Sequence, residues 1–266
     1  MIAAVGHVSR DVVDGGPPRP GGTVFYSARV LAGLGAAARI GASCAAADRS
    51  FLIDPLEALG LPVTWCESAN TTTYRFRYTR SGRRVMRQDA VGDPWSPGNA
   101  LLAIGDASWV HVGALVRTDF PSKTLAALAG DDRTLLVDGQ GLVRTPALGP
   151  LRTNGKIGDV LRYVTILKLD QDEAETLAGS IDPTDIRALG VQEVIVTLGS
   201  RGSLIVTANA AEAVPTDEIG RPIDPTGAGD AYSAAYLFAR SAGGEPLDAA
   251  RAATKAVTEL LAGSSV

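Results

Sequence analysis

The sequence predicts an α/β fold: a doubly wound, mostly parallel sheet with helices on both faces and a small β-hairpin lid. Short β-branched runs alternate with Ala/Leu-rich stretches, a rhythm typical of βαβ units. Of the 266 residues, 45% are hydrophobic and only 5% aromatic, so aliphatic side chains must build the core. One segment, Thr71–Gln88, departs from this rhythm and has the period-two alternation of a hairpin.

Six runs predict strands, and the stretches between them predict helices. The expected strands are Ile2–Gly6, Arg39–Ser43, Trp109–Val112, Thr134–Val137, Val164–Leu167 and Glu193–Thr197. The expected helices are Val24–Leu34, Phe51–Leu59, Lys123–Leu128 and Asp172–Leu177, followed by two Ala-rich helices at about Ala228–Ser241 and Leu247–Leu261. The Gly/Pro-rich Asp14–Gly22 stretch indicates a loop. We expect residues 1–266 to form a single domain.

The expected hairpin has two different faces. Its aromatic residues, Tyr74, Phe76 and Tyr78, alternate with Arg75 and Arg77 before a Ser-Gly turn. A hairpin in a doubly wound domain suggests a lid over a cleft, to which the 8–20 loop region could contribute. The alternative is an edge hairpin of the main sheet, since edge strands commonly carry charges. Its apolar face could also pair two copies in a homodimer, and its arginines could attract an anionic substrate or form a solvated outer face.

Composition excludes several classes of protein. The formal net charge of −4 argues against a nucleic-acid partner bound by an overall basic surface. Cys44 and Cys66 cannot build a disulfide framework, and no Cys/His cluster suggests zinc. The stretch Leu101–Val116 is too polar to span a bilayer, and the N-terminus does not resemble a signal peptide. These features predict a cytoplasmic protein without a membrane partner.

The most informative stretch is DPTGAGDA, Asp224–Ala231, which leads into an Ala-rich helix. Gly227 and Gly229 permit a tight turn, and the amides of Gly227, Ala228 and Gly229 would lie at the helix N-terminus, where the free N–H groups favour an anion. Asp230 would be stabilised by the helix dipole. Taken alone, this pattern fits simple helix capping equally well.

Further motifs stand in a fixed order along the chain. They are GHVSRD (Gly6–Asp11), PGGTVFYSARVLAGLG (Pro20–Gly35), KLDQDEAE (Lys168–Glu175) and VIVTLGSRGSLIV (Val194–Val206). With them, the sequence resembles the ribokinase (phosphofructokinase-B type) family of carbohydrate and nucleoside kinases. Its D-T-x-G-A-G-D signature stands here as Asp224–Asp230, with proline second.

The resemblance implies an ATP-dependent kinase that phosphorylates a hydroxyl of a small polyol, sugar or nucleoside, and it assigns a role to each motif. Asp230 would be the general base, and the amides of Gly227, Ala228 and Gly229 would form the anion hole. The acceptor would be bound by Asp11, Gly21, Gly22 and Tyr26, and the nucleotide by Thr197, Gly199, Gly202 and Thr226. Asp170 and Glu173 would order Mg²⁺ through water, and Asp224 and Thr226 could border a monovalent cation.

The chain departs from the family pattern at two of these positions. Asp170 replaces the asparagine of the N-x-x-E motif, and Tyr26 stands where an asparagine commonly contacts the substrate. The second departure argues against ribose and favours a different polyol or a flatter ring. The DGQGLVR run (Asp138–Arg144), GHVSRD and the Gly92–Pro94 run look more like the inositol-kinase branch.

The sequence also bears on two rival classes of protein. A Rossmann dehydrogenase would need G-x-G-x-x-G after an early strand, and the sequence after Gly6 lacks it. A non-catalytic sugar- or nucleotide-binding protein with a kinase fold is the remaining alternative, although such a protein has no need of Asp230. His7 and His111 have no nucleophile–acid spacing around them and are interpreted as structural.

Overall fold

A computed structural model describes residues 1–78, 84–216 and 226–262. The strands are β1 Ile2–His7, β2 Ser9–Val13, β3 Arg19–Gly21, β4 Ala38–Cys44, β5 Val63–Glu67, β6 Thr72–Tyr78, β7 Arg84–Ala90, β8 Trp109–Gly113, β9 Thr134–Asp138, β10 Gly149–Pro150, β11 Ile166–Asp170, β12 Glu193–Thr197, β13 Ser203–Thr207 and β14 Ala211–Val214. The helices are α1 Thr23–Gly33, α2 Arg49–Leu52, α3 Asp54–Glu57, α4 Pro97–Ile104, α5 Ser122–Leu128, α6 Gln140–Val143, α7 Gln171–Ala178, α8 Pro183–Arg187, α9 Ala228–Ser241 and α10 Pro246–Leu261.

The main sheet contains nine strands in the order β14-β13-β12-β11-β9-β8-β1-β4-β5. The strands from β12 to β5 are parallel, and β13 and β14 are antiparallel at one edge. The strand β1 lies between β4 and β8, with Ile2 opposite Ala38 on one side and Trp109 on the other. The strand order therefore reverses beside β1, and open α/β sheets bind ligands at the carboxyl ends of the strands at such a point.

Helices cover both faces of this sheet. On one face, the α1, α9 and α10 side chains pack with Ile2 and Ala4 of β1. On the other, the α4, α5, α7 and α8 side chains pack with Ala3 and Val5 of the same strand. The alternation along β1 explains why this strand is continuously apolar, since both of its faces are buried. The predicted doubly wound α/β fold is confirmed.

A second, five-stranded sheet has the order β10-β7-β6-β2-β3. Its centre is the predicted hairpin, in which β6 and β7 pair antiparallel, and β6 also pairs parallel with β2. Only Val8 separates β1 of the main sheet from β2, so the chain passes directly from one sheet to the other. The alternative that the hairpin is an edge of the main sheet is wrong.

Three local predictions need correction. The expected loop Asp14–Gly22 contains β3 at its end, because residues 19–21 pair with β2. The expected helix Phe51–Leu59 is instead two short helices that meet at Ile53, because Pro55 has no N–H to donate to the carbonyl of Phe51, as one continuous helix would require. The strand expected at Val164–Leu167 begins two residues later and continues to Asp170. None of the described helices combines the length and apolar character needed to cross a membrane.

Candidate active site

A cleft of about 300 Å³ lies between the carboxyl ends of the main-sheet strands and the second sheet. Residues from both sheets and from the GAG turn line it: Ser9, Asp11, Gly22, Thr23, Tyr26, Tyr74, Phe76, Met86, Leu115, Gln140, Arg144, Lys168, Asp170, Glu173, Thr197, Gly199, Thr226, Gly227, Gly229 and Asp230. Most of the predicted site residues are therefore brought into one cleft, although Asp11 and Asp230 are 219 positions apart in sequence.

The GAG turn begins helix α9. Gly227 is the N-cap residue, with φ of 81°, a left-handed conformation that favours glycine. Its oxygen accepts a hydrogen bond of 2.8 Å from the amide of Ala231. A side chain at position 227 would overlap the ring of Tyr26, so glycine also permits this close approach. Ala228 is the first helical residue and stands between the two glycines that line the cleft.

Asp230 lies in the first turn of α9 and borders the cleft. Burial, helped by the neighbouring charge of Asp138, raises the pKa of its carboxyl group to about 6, although Lys168 and a hydrogen bond with Thr23 act in the opposite direction. A carboxylate with a pKa near 6 is mostly ionised at pH 7 and is still basic enough to accept a proton. This environment suits a general base.

The carboxylate of Asp11, on β2, belongs to the end of the cleft that the second sheet forms. Its Oδ1 accepts a hydrogen bond of 2.8 Å from the Ser9 hydroxyl, and the residue is buried. A side chain at Gly21 would overlap the Asp11 carboxylate, although Gly21 itself does not line the cleft. Gly22 precedes α1 with φ of 91°. The double glycine therefore provides space for Asp11 and a tight entry into α1.

Aromatic residues of the second sheet cover this end of the cleft. Tyr74 and Phe76 stack with ring centroids 6.3 Å apart, and the Tyr74 hydroxyl donates to the Leu115 carbonyl at 3.3 Å. Both residues are buried against Leu115. Tyr74 and Phe76, two residues of the apolar hairpin face that suggested a homodimer, are therefore already packed within the chain. Arg75 lies on the other face, where it is exposed and pairs with Asp89, an arrangement that favours the solvated-face interpretation of the arginines.

Asp170 and Glu173 form a capping box at the start of α7. The Asp170 carboxylate accepts from the Glu173 amide at 2.8 Å, and the Glu173 carboxylate accepts from the Asp170 amide at 2.9 Å. Burial raises the pKa of Glu173 to about 7, and the charge of Asp170 contributes in the same direction. Each carboxylate accepts this bond through one oxygen and both residues line the cleft, so the pair fits a cation held largely through water and phosphate.

The residues predicted to border the nucleotide do not all lie in the cleft. Thr197, Gly199 and Thr226 line it, whereas Gly202 stands in the turn between β12 and β13. Gly202 has φ of 90°, and a side chain there would overlap the Val214 carbonyl, so the turn itself requires glycine. Asp224, predicted to border a monovalent cation with Thr226, lies outside the described residues.

The family to which the chain belongs is shown by a family model that matches most of its residues. The model of the pfkB family carbohydrate kinases matches residues 18–260. The chain belongs to this family. It is similar over 98% of its length, with 27% identity and a TM-score of 0.85, to 95% of a pyrophosphate-dependent kinase of the ribokinase family, solved with a pyrophosphate analogue and myo-inositol.

Other relatives of this pfkB-family chain differ in substrate. It is 34% identical over 193 residues, 69% of its length and 57% of the relative's, to the 2-dehydro-3-deoxygluconokinase of Thermoproteus tenax. The nucleoside kinase of Burkholderia thailandensis, solved with inosine, shares the fold with a TM-score of 0.78 at 19% identity, over 98% of this chain and 91% of that one. The chain spans between 27% and 57% of the length of the four curated relatives that it was compared with.

No motif in the sequence predicts a buried polar cluster around Asp138. In it, Asp138 accepts hydrogen bonds from Ser233 at 2.6 Å and from His111 at 2.5 Å, and the other His111 nitrogen contacts Ser27 at 3.0 Å. These bonds agree with the structural interpretation of His111. Lys168 is a further residue of the cleft without a predicted role. A lysine within the apolar strand ILKLD is itself an indication of function, because lysine is rarely buried.

Proposed function

We propose that this protein is an ATP-dependent kinase that transfers the γ-phosphoryl group to a hydroxyl of a small polyol, sugar or nucleoside. In this proposal Asp230 is the general base, and the amides of Gly227, Ala228 and Gly229 stabilise the charge on the transferring group. One observation carries the proposal: the Asp230 carboxylate, with its raised pKa, directly follows an anion-binding turn and shares a cleft with Asp11.

Within this class, a cyclic polyol such as an inositol fits the acceptor end best. Asp11 offers a fixed carboxylate that can accept hydrogen bonds from several hydroxyls. Tyr74, which pairs with Asp11 across the strands, and Tyr26, which lies against Gly227, add flat ring surfaces to the cleft, and such surfaces suit the carbon face of a ring. The relative that was solved with myo-inositol supports the same acceptor class.

Pyrophosphate is a second candidate donor. The relative with a TM-score of 0.85 is described as pyrophosphate-dependent, and pyrophosphate has the same phosphoanhydride bond as ATP. Lys168 and Arg144 both line the cleft and would attract either donor. We favour ATP because the Val194–Val206 strand–turn–strand resembles the nucleotide border of the family.

Mg²⁺ is the metal that this chemistry implies. When bound, it would neutralise charge on the donor phosphates. Asp170 and Glu173 are the residues proposed to order it, through water. Thr226 with Asp224 remains the proposed border of a monovalent cation.

A panel assay tests the function. Acceptors from four classes, namely inositols, free sugars, sugar phosphates and nucleosides, would each be incubated with Mg²⁺ and either ATP or pyrophosphate. Acceptor-dependent release of ADP or phosphate is expected with at least one combination. Release with none of them, from a protein that binds a sugar or nucleotide, would favour the non-catalytic alternative.

The pH dependence of turnover is a direct consequence of the proposed base. Asp230 accepts a proton only when ionised, so activity is expected to be lost as the pH falls through its pKa of about 6. Well below that pH, kcat should fall about tenfold per pH unit. A kcat profile measured from pH 4.5 to 8.5 checks this, and a profile that stays flat down to pH 5 would contradict it.

We also propose that the hairpin of residues 71–88 acts as a lid, with β2 and β3 beside it. Tyr74 and Phe76 cover the acceptor end, and closure there would exclude water. Deleting about Arg80–Arg83, at a tip that lies outside the described residues, is expected to leave a folded protein with raised acceptor KM and wasteful ATP hydrolysis. Steady-state kinetics check this, and an unchanged acceptor KM would contradict the lid.

A further inference from the structure

His7 lies where the chain passes from the main sheet to the second sheet. It is the last residue of β1, and only Val8 separates it from β2. The residue is completely buried, although a polar side chain is costly to bury without partners. Its ring packs edge-on to Trp95, with ring centroids 6.2 Å apart. The partners of its two ring nitrogens therefore decide what this histidine does.

Both ring nitrogens of His7 face groups that can only accept a hydrogen bond. Nε2 lies 3.0 Å from the carbonyl oxygen of Asp93, and Nδ1 lies 3.4 Å from Oδ2 of the buried Asp119 carboxylate. Among the described residues, neither Nδ1 of His7 nor Oδ1 of Asp119 has a hydrogen bond elsewhere. A carbonyl and a carboxylate offer no proton, so each nitrogen must carry its own hydrogen. The geometry therefore fits a charged imidazolium rather than either neutral tautomer.

The charges around His7 favour the same state. Burial alone would lower the pKa of His7, because removal from water disfavours the charged ring. Asp119 and, to a smaller extent, Asp93 together outweigh burial, so the pKa lies above its ordinary value of 6.5. In the described part of the chain these two aspartates are the charged groups that act on the ring. The charged pair is therefore complete below about pH 6.5 and is lost as the pH rises through the raised pKa.

Asp119 connects His7 to the acceptor end of the cleft. Its Oδ2 accepts hydrogen bonds from the amides of Leu115 and Val116, at 2.7 and 3.1 Å. The Leu115 carbonyl in turn accepts from the Tyr74 hydroxyl at 3.3 Å, and both of these residues line the cleft. The loop after β8 is therefore held by the His7 pair at one end and contacts the lid at the other.

Asp93 connects His7 to the segment that leaves the lid. The amide of the preceding Gly92 donates to the Thr72 hydroxyl of β6 at 3.0 Å. A Cβ at Gly92 would be 2.6 Å from the His7 ring, so glycine permits this segment to lie against the imidazole. His7 thus contacts the segment after β7 and the loop after β8, at the point where its own strand passes between the sheets.

We propose that His7 is a positioning residue for acceptor binding, whose imidazolium holds the base of the lid between the Asp119 carboxylate and the Asp93 carbonyl. This inference rests on the proposed kinase function and on the proposed lid. His7 is not among the described residues that line the cleft, so it acts through the loop and the lid. Loss of its charge releases the loop side of this junction, and the lid then covers the acceptor less well. The acceptor binds more weakly, whereas donor binding and the chemical step are unchanged.

The charge of His7 can be measured directly by NMR. The chain contains two histidines, so ¹⁵N-histidine-labelled protein gives two sets of ring signals, and either His7→Gln or His111→Gln assigns them. At pH 6.5 we expect both ring nitrogens of His7 to be protonated in most molecules, and one proton to be lost only at higher pH. A His7 ring that is mainly neutral at pH 6.5 would overturn the proposal, because there would be no charged pair to hold the lid.

The pH dependence of the acceptor KM tests the positioning role, with the acceptor that reacts fastest in the panel assay. The wild-type KM should rise about tenfold as the pH passes the value at which His7 titrates by NMR, a factor typical of coupling between two sites. The kcat at saturating acceptor should change little over the same range. His7→Gln keeps one donor for the Asp93 carbonyl but cannot be charged, so its KM should be raised already at pH 6.5 and should not rise further.

Asp119→Asn separates the charge from the structure of the loop. Its side-chain oxygen can still accept from the amides of Leu115 and Val116, while its NH₂ group donates to a neutral His7 ring. The loop is then held without a titrating charge, so the acceptor KM should no longer depend on pH in this range. Asp106→Asn, an exposed substitution shortly before β8, is the matched control and should keep the wild-type KM profile.

The outcomes distinguish this inference from the proposed function. A wild-type protein that is inactive with every acceptor and donor overturns the kinase function, whereas the NMR spectrum still decides whether the charged pair exists. In an active wild type, an acceptor KM that stays constant while His7 titrates overturns the positioning role alone. This profile needs no variant, so it decides even if neither substitution folds. A folded His7→Gln variant with the wild-type KM at pH 6.5 overturns the role equally.

Discussion

Replacing Asp230 by asparagine is expected to lower kcat by roughly 10²-fold or more. Asparagine keeps the size of the side chain and some of its hydrogen bonding, but it cannot accept the proton of the acceptor hydroxyl. General-base assistance typically contributes about 10² to 10⁴-fold in rate, which corresponds to roughly 3–5 kcal/mol of barrier. Donor binding should change little, because the amides of the turn remain in place. Steady-state kinetics and a thermal melt of the variant give both quantities.

The competing explanation is that Asp230 only stabilises the helix start. In that case the same change would cost about 1 kcal/mol of stability and spare turnover. Asp248→Asn is a matched control, because Asp248 is the first-turn acid of α10 and is exposed. The helix-dipole effect should be similar in both variants. A lower kcat in Asp230→Asn than in Asp248→Asn would therefore come from a catalytic role of Asp230. Near-normal turnover in Asp230→Asn would leave the mechanism without its base.

The order of the motifs made much of the site predictable. Asp11 follows the end of β1 and Glu173 follows the end of β11, and the carboxyl ends of parallel strands meet at one edge of a sheet. Asp230 follows the GAG turn at the start of α9. The fold class followed from the alternation of strands and helices, because burial on both faces of a parallel strand leaves a continuous apolar run. Neither inference needed the packing of individual side chains.

The polar cluster could not be predicted in the same way. Asp138, Lys168 and Ser233 lie on β9, β11 and α9, and their contacts depend on the strand order and on the orientation of each side chain. The five-stranded second sheet was missed for a related reason. Its strands β3 and β10 are three and two residues long, too short to show an alternating pattern.

The orientation of the hairpin limits which of its side chains can contact an acceptor in the cleft. The sequence placed aromatic and basic residues on opposite faces, and the structure turns the aromatic face, with Tyr74 and Phe76, towards the cleft. Arg75 pairs with Asp89 on the opposite face. We therefore expect selection of the acceptor to depend more on ring shape and on Asp11 than on the hairpin arginines.

Replacing Asp11 by alanine is expected to raise the acceptor KM by about 10- to 100-fold and to leave donor affinity nearly unchanged. Hydrogen bonds to a charged group contribute about 1.5–3 kcal/mol each, and 1.4 kcal/mol corresponds to a tenfold change in affinity. Asp11 stands on the second sheet, whereas the GAG turn begins α9, so we expect the loss to be confined to the acceptor. Initial rates with each substrate varied in turn measure the two effects separately.

Asp89→Ala provides the control for Asp11→Ala. Asp89 belongs to the same sheet, but it pairs with Arg75 and Arg87 away from the cleft. Its loss removes a carboxylate from the second sheet without touching the acceptor, so the acceptor KM should stay at the wild-type value. Weakened donor binding with a normal acceptor KM in Asp11→Ala would reverse the assignment of the two ends of the cleft.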